Sequence, residues 1–116
     1  MSEARRQEKL PTTITMQLLT KEIIEKLPRL GSTDDQGMKA VAQVKFFTPD
    51  AGWTWYATEF DGVDTFFGLV IGVERELGHF SLSELQSIRG RLGLSVERDL
   101  YFKPTPLEEL WPLSLT

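Results

Sequence analysis

"WTWYATEFDGVDTFFGLVIGVE", residues 53–74, decides the fold. Its first eight residues are rich in Trp, Tyr, Thr and Phe, side chains that suit a pleated, half-buried surface. Asp61-Gly62 then reads as a two-residue hairpin turn, because both central positions of a type I′ turn need positive φ. The chain returns as a second strand over 63–74. If Phe60 pairs with Val63, then Trp55 lies opposite Gly68, Trp53 opposite Val70 and Tyr56 opposite Phe67. A Trp opposite a Gly is physically sensible, since the indole covers backbone that the glycine leaves bare. Period-two alternation puts Trp53, Trp55, Ala57, Phe66, Gly68, Val70 and Gly72 on one face. The other face takes Thr54, Tyr56, Thr58, Phe60, Phe67, Leu69 and Ile71. Both are substantially apolar, so both need cover, which suggests helices on one side and a tail, loop or partner on the other.

Outward from the hairpin, "AVAQVKFF", 40–47, reads as the preceding strand, joined through a "PDAG" turn. Upstream, "LLTKEIIEKLPRLG" reads as a helix. Thr20 caps it, Leu19, Ile23, Leu27 and Leu30 share a face, and Pro28 ends it at Leu27. "GSTDDQGMK" is a polar loop. Downstream, "HFSLSELQSIRG" is a helix cassette: Ser81 the N-cap, Glu84 closing a capping box, Phe80 stapled to Leu85. Arg89 suits the C-terminal end of that helix, and Gly90 is expected to stop it in a left-handed conformation. Val96, Arg98, Leu100 and Phe102 alternate with Glu97, Asp99 and Tyr101, which predicts a strand over 96–102. "TPLEELWP" predicts a last short helix with Thr105 as cap, Pro106 at its first position, Glu108 completing a box and Pro112 as its stop. The expected fold is a single α+β domain over residues 17–112, a mainly antiparallel sheet of about four strands with short helices packed on it. Residues 1–16 are expected to form a mobile or partly extended tail, and 113–116 a C-terminal tail.

At 116 residues the chain is long enough for one domain and not for two. No apolar run approaches the ~20 residues of a membrane span, and "MSEARRQEKL" leads into no apolar core of a secretory signal. The absence of Cys rules out disulfides, thiolate metal sites and a cysteine nucleophile, and fits the cytoplasm. The net charge of −4 is unevenly spread: residues 50–80 hold Asp50, Glu59, Asp61, Asp64, Glu74 and Glu76 against Arg75 alone. Nucleic-acid surfaces carry basic stripes, so an acidic aromatic region argues against direct nucleic-acid binding.

Few residues carry catalytic chemistry. His79 is the only imidazole, whereas zinc and iron sites draw on several His, Cys or carboxylate ligands; neither metal nor cofactor is expected. Glu59, Asp61 and Asp64 read as loop-tip charges in preference to a magnesium site. Ser81 and Ser83 lie near His79, but capping explains Ser81, and no nucleophile elbow or phosphate-binding loop is present. The best polar cluster is "ERD", 97–99. On a strand Arg98 faces away from Glu97 and Asp99, among apolar neighbours. It then needs a carboxylate partner, or it is a substrate- or partner-binding arginine. The aromatic hairpin is core more often than site, yet Trp and Tyr are also preferred interface anchors.

"KFFTPDAGWTWYATEFD", "DTFFGLVIGVERELGHFSLSELQSIRG" and "LGLSVERDLYFKP", in that order, resemble a small bacterial family, the domain of unknown function numbered twenty-nine fifty-eight. The resemblance runs from about Leu18 to Leu107 and departs from the family pattern in a shorter Phe60–Asp64 loop and in Arg91 where a proline is expected. It implies a protein of plasmids and other mobile elements, often beside anti-restriction and DNA-transfer genes. It implies no activity, substrate or catalytic residue.

The expected function is a non-enzymatic interaction or ligand-binding module with a protein partner, the chain itself monomeric or homodimeric. Trp53, Trp55 and Tyr56 form its candidate binding face, with Glu97, Arg98, Asp99 and Tyr101 as a second candidate cluster and Asp61, Asp64, Glu74 and Glu76 as an acidic rim. In a sharper form these carboxylates stand in for DNA phosphates and block a host defence nuclease. The rival is a small enzyme acting on nucleotide or nucleic acid, with Arg98 as anion binder and Glu97 or Asp99 as acid or base. A pocket joining Arg98, Tyr101 and His79 would support it. A weak nucleic-acid binder comes third.

Overall fold

The structure, a computed structural model, describes residues 17–113; the tail expected over 1–16 lies outside them. Helix α1 spans Lys21–Lys26, followed by a 3₁₀ segment, Asp34–Lys39. Strands β1 (Val41–Ala42), β2 (Val44–Phe47), β3 (Thr54–Phe60), β4 (Thr65–Ile71) and β5 (Arg75–Ser81) follow. Then come α2 (Leu82–Ser87), β6 (Glu97–Arg98), β7 (Thr105–Pro106) and α3 (Leu107–Leu113). The main sheet has five strands in the order β5, β4, β3, β2, β6, each pair antiparallel, and β1 pairs with β7 in a small second sheet. The fold is α+β with a mostly antiparallel sheet, as the sequence predicts.

The central hairpin forms, but its register differs from the expected one. Trp55 pairs with Val70 and Ala57 with Gly68, a shift of two residues that preserves which side chains share a face at that end. The longer turn shifts the pairing next to it by three, Phe60 with Phe66, and a bulge further along takes one back. Asp61 does not sit in a two-residue loop; its Oδ1 accepts the N–H groups of Val63, Asp64 and Thr65 at 2.8, 2.8 and 3.0 Å. A carboxylate that gathers the backbone of its own loop is the Asx-type alternative to a tight turn. The slip carries the Trp–Gly pairing with it: Trp53, not Trp55, lies over a glycine, and its indole occupies the space a Cβ on Gly72 would need.

A β-bulge between Ala57 and Glu59 then changes the faces near the turn. Thr58 Oγ1 donates to the Phe67 carbonyl at 3.0 Å, and the extra residue moves Phe60 to the Trp55 side, correcting its expected place beside Tyr56. There Phe60 stacks on Phe66 at 4.5 Å, and Phe66 also meets Phe80 at 5.1 Å and Phe46 at 5.5 Å. Leu18, Leu19, Leu27, Leu85 and Val96 close this core, with Ile23 and Ile88 packed against it. The opposite face buries Leu69 and Ala42 under Leu107 and Leu110, with Met38, Tyr56 and Phe102 at the margin. α1 and α2 pack over one face, where Trp53 stays half-exposed, and α3 and the 3₁₀ segment pack over the other.

Several local expectations change. The 40–47 run splits after Ala42, because β1 leaves the main sheet to pair with Thr105–Pro106. Those two residues are therefore strand, not cap and first turn, and α3 starts at Leu107 and continues past Pro112. Leu30 lies beyond the end of α1 and is exposed. The strand predicted for 96–102 stops at Arg98, since Asp99 Oδ1 accepts the Tyr101 N–H at 2.9 Å and turns the chain outward. β5 is the strand the pattern did not mark.

Candidate functional site

Trp53 is positioned by a backbone clasp. Its N–H donates to Thr48 Oγ1 at 2.8 Å, and its carbonyl accepts the Thr48 N–H at 2.9 Å. Its ring stacks on Trp55 with centroids 5.9 Å apart and planes 26° apart. The two indoles differ in burial: Trp55 is 4% exposed and belongs to the core, whereas Trp53 is 40% exposed. Beside them lies a groove of about 470 Å³, walled by Trp53, Trp55 and Val70, by Glu76 and Gly78 of β5, and by Glu84, Ile88 and Arg89 at α2. Its size suits a small ligand or a few side chains of a partner.

α2 is held over the groove at its N-terminus. A helix start leaves N–H groups without intrahelical acceptors, and here the first three are satisfied. Leu82 N–H donates to the Asp64 carbonyl at 2.7 Å, Ser83 N–H to Asp64 Oδ1 at 2.8 Å and Glu84 N–H to Ser81 Oγ at 3.0 Å. Ser83 Oγ adds a bond to Asp64 Oδ2 at 2.9 Å. Ser81 is thus the cap the sequence predicts, while Asp64 works for the helix beside it. The other end stops at Ile88, where Arg89 Nη1 donates to the carbonyls of Gln86 and Ile88 at 2.9 and 2.8 Å. Gly90 does not stop the helix in a left-handed conformation. It is small because the Asp50 carboxylate fills the place of a Cβ; Asp50 Oδ2 accepts the Leu92 N–H at 2.6 Å and ties the 49–52 turn to this loop.

The candidate residues are not gathered in one place. Trp53, Trp55 and Glu76 meet at the groove. Tyr56 faces the other way, its ring 5.6 Å from Phe102 and under Lys45 Nζ at 5.8 Å. Burial, and then the charge of Asp99, push its hydroxyl pKa up. Asp99 pairs with Lys45 at 3.5 Å. Arg98 Nη1 donates to the carbonyls of Gln17 and Leu18 at 2.6 and 3.0 Å and so fastens the first described residues to the sheet edge. A shallow pocket of about 280 Å³ joins Phe47, Glu97, Arg98, Asp99 and Tyr101, with Tyr101 90% exposed. His79 is on β5, paired with Phe67 and meeting its ring edge-on at 5.0 Å; it does not line that pocket. Among the acids, Asp61 and Asp64 are engaged as described, and three backbone N–H bonds hold the Asp61 carboxyl below its usual range. Glu74 lies in the turn between β4 and β5.

Glu59, expected to be a loop-tip charge, is instead a residue of β3 and only 1% exposed. Oε1 accepts the Gly31 N–H at 2.7 Å, and Oε2 accepts the Thr33 N–H at 2.9 Å and the Thr33 hydroxyl. Burial pushes this carboxyl up; those three donors and the nearby His79 outweigh it, and its pKa falls below the ordinary value. A carboxylate so fully committed to the 31–33 loop is a structural clamp.

The class these features define is a small antiparallel α+β domain with one aromatic groove beside an edge strand, and among the described residues no cluster of side chains that could hold a metal. No helix among them is long and apolar enough to cross a membrane. The chain belongs to the family described as protein of unknown function DUF2958, whose model matches residues 18–111. No curated protein and no solved structure matches it.

Proposed function

We propose that the protein is a non-enzymatic binding module that engages a partner protein through the groove at Trp53. The observation that carries this reading is the half-exposed indole of Trp53, fixed over Gly72 and against Trp55 at the wall of a groove of about 470 Å³. A large aromatic held rigid at a cavity mouth loses little conformational freedom on binding and excludes much water, which is why such residues anchor interfaces. The setting we propose is a mobile genetic element, with a host defence protein or nuclease as the partner to look for first; the acid-rich segment 50–80 supports a partner with a basic surface.

The test is affinity capture from the host cell with wild type beside Trp53→Ala, both shown folded by far-UV circular dichroism. A stoichiometric partner held by wild type and lost from Trp53→Ala supports the module. Equal capture by both refutes the groove.

A further inference from the structure

The groove has a charge pattern as well as an aromatic wall. Glu76 of β5 and Glu84 in the first turn of α2 both line it and are exposed. Neither carboxylate takes part in a hydrogen bond or ion pair among the described residues. Of the basic residues that line the groove, His79 has its ring against Phe67, and Arg89 is tied by Nη1 to the carbonyls of Gln86 and Ile88 at the end of α2. Two carboxylates against one guanidinium leave the groove beside the half-exposed Trp53 net anionic. An indole face attracts cations through its quadrupole, and a carboxylate binds a guanidinium through charge-assisted, often paired hydrogen bonds. A phosphate or carboxylate ligand would meet like charge from both glutamates. Gly78, between them and Phe80 on the groove floor, leaves open the space a Cβ would fill, so a long side chain can enter across β5.

We infer that this groove is a cation pocket that takes the guanidinium of an arginine presented by a basic segment of a partner protein. The inference rests on the groove being the binding surface and names what it recognises. Arginine fits better than lysine, because a planar guanidinium stacks on an indole while its N–H groups remain free for carboxylates at its edge. The acid excess of residues 50–80 adds long-range attraction for such a segment.

The test titrates the full chain, by tryptophan fluorescence, with the peptide acetyl-Gly-Gly-Arg-Gly-Gly-amide and with the same peptide carrying citrulline, the neutral isostere of arginine. Saturable binding of the arginine peptide is expected, with the citrulline peptide at least about tenfold weaker. The double variant Glu76→Gln with Glu84→Gln should weaken the arginine peptide by a similar factor, while Trp53→Phe, which keeps an aromatic face, retains most of the affinity. Glu84→Gln leaves its own N–H on Ser81, so the helix cap survives. Equal binding of both peptides, unchanged affinity in the double variant, or no saturation with wild type each overturns the inference. Partner capture that depends on Trp53 but not on the two glutamates would leave the binding groove standing and remove the arginine. Capture that ignores Trp53 would remove the groove itself.

Discussion

Glu59 shows how one side chain can hold a segment remote in sequence. Its two oxygens serve Gly31 and Thr33, residues 28 and 26 positions away. A Gln there keeps one acceptor but turns an N–H₂ towards groups that are already donors. Glu59→Gln should cost about 2–3 kcal/mol, the penalty for buried donors left without an acceptor, read as a shift in urea midpoint. The pH dependence follows from the lowered pKa. The folded carboxyl binds its proton less readily than the unfolded one, so its stabilisation is complete above the ordinary value of 4.5 and is lost as pH falls through the folded value. Wild type should therefore lose stability on acidification more steeply than Glu59→Gln; parallel curves would contradict the clamp. The two tryptophans make a second contrast. Trp55→Ala empties a core position and should cost about 3–5 kcal/mol, whereas Trp53→Ala should cost clearly less, because much of its ring is already in water. Thermal unfolding of the pair checks this, and it makes Trp53 the residue on which a binding test can be read. Sequence patterning marked both indoles as candidates but could not rank them, since burial here depends on which neighbours the register supplies.

At the scale of elements, α2 depends on two capping groups from different places. Ser81 satisfies the Glu84 N–H, and Asp64 satisfies those of Leu82 and Ser83. Ser81→Ala should lower stability by about 1 kcal/mol, and Asp64→Ala should do at least as much, because it frees the Ser83 N–H and hydroxyl together. Chemical denaturation measures both; an Asp64→Ala protein as stable as wild type would show that the loop carboxylate does nothing for the helix. The Ser81 half was legible, since capping is a local pattern. The Asp64 half was not, because it needs the 61–65 loop to fold back on α2. The same difference explains the hairpin. Asp-Gly correctly marks a reversal, yet the side chain of Asp61 recruits three N–H groups and lengthens the loop. β5 carries no strand pattern, because its turn at Gly72–Glu74 has no strong dipeptide and its residues, apart from Leu77 and Phe80, are polar or small, as suits an edge strand.

Across the whole molecule, the sheet is a partition between two cores, and the groove opens where α2 leaves part of the Trp53 side uncovered. The fold class, the two apolar faces and the need to cover both could be read from alternation alone. Which residues converge could not: Arg98 fastens the chain at Gln17 and Leu18, Tyr56 packs on Phe102, and Glu84 and Arg89, read as helix-end residues, prove to be groove walls. Two surfaces are therefore candidates for the proposed partner, the groove at Trp53 and the shallow pocket at Tyr101. A nuclear magnetic resonance titration of the isotope-labelled full chain with the protein it captures decides between them. The account predicts shifts at the Trp53 indole N–H and at the amides of Glu76, Gly78 and Glu84, with Leu100 and Tyr101 unmoved. Shifts confined to Lys45, Asp99, Leu100 and Tyr101 would contradict it.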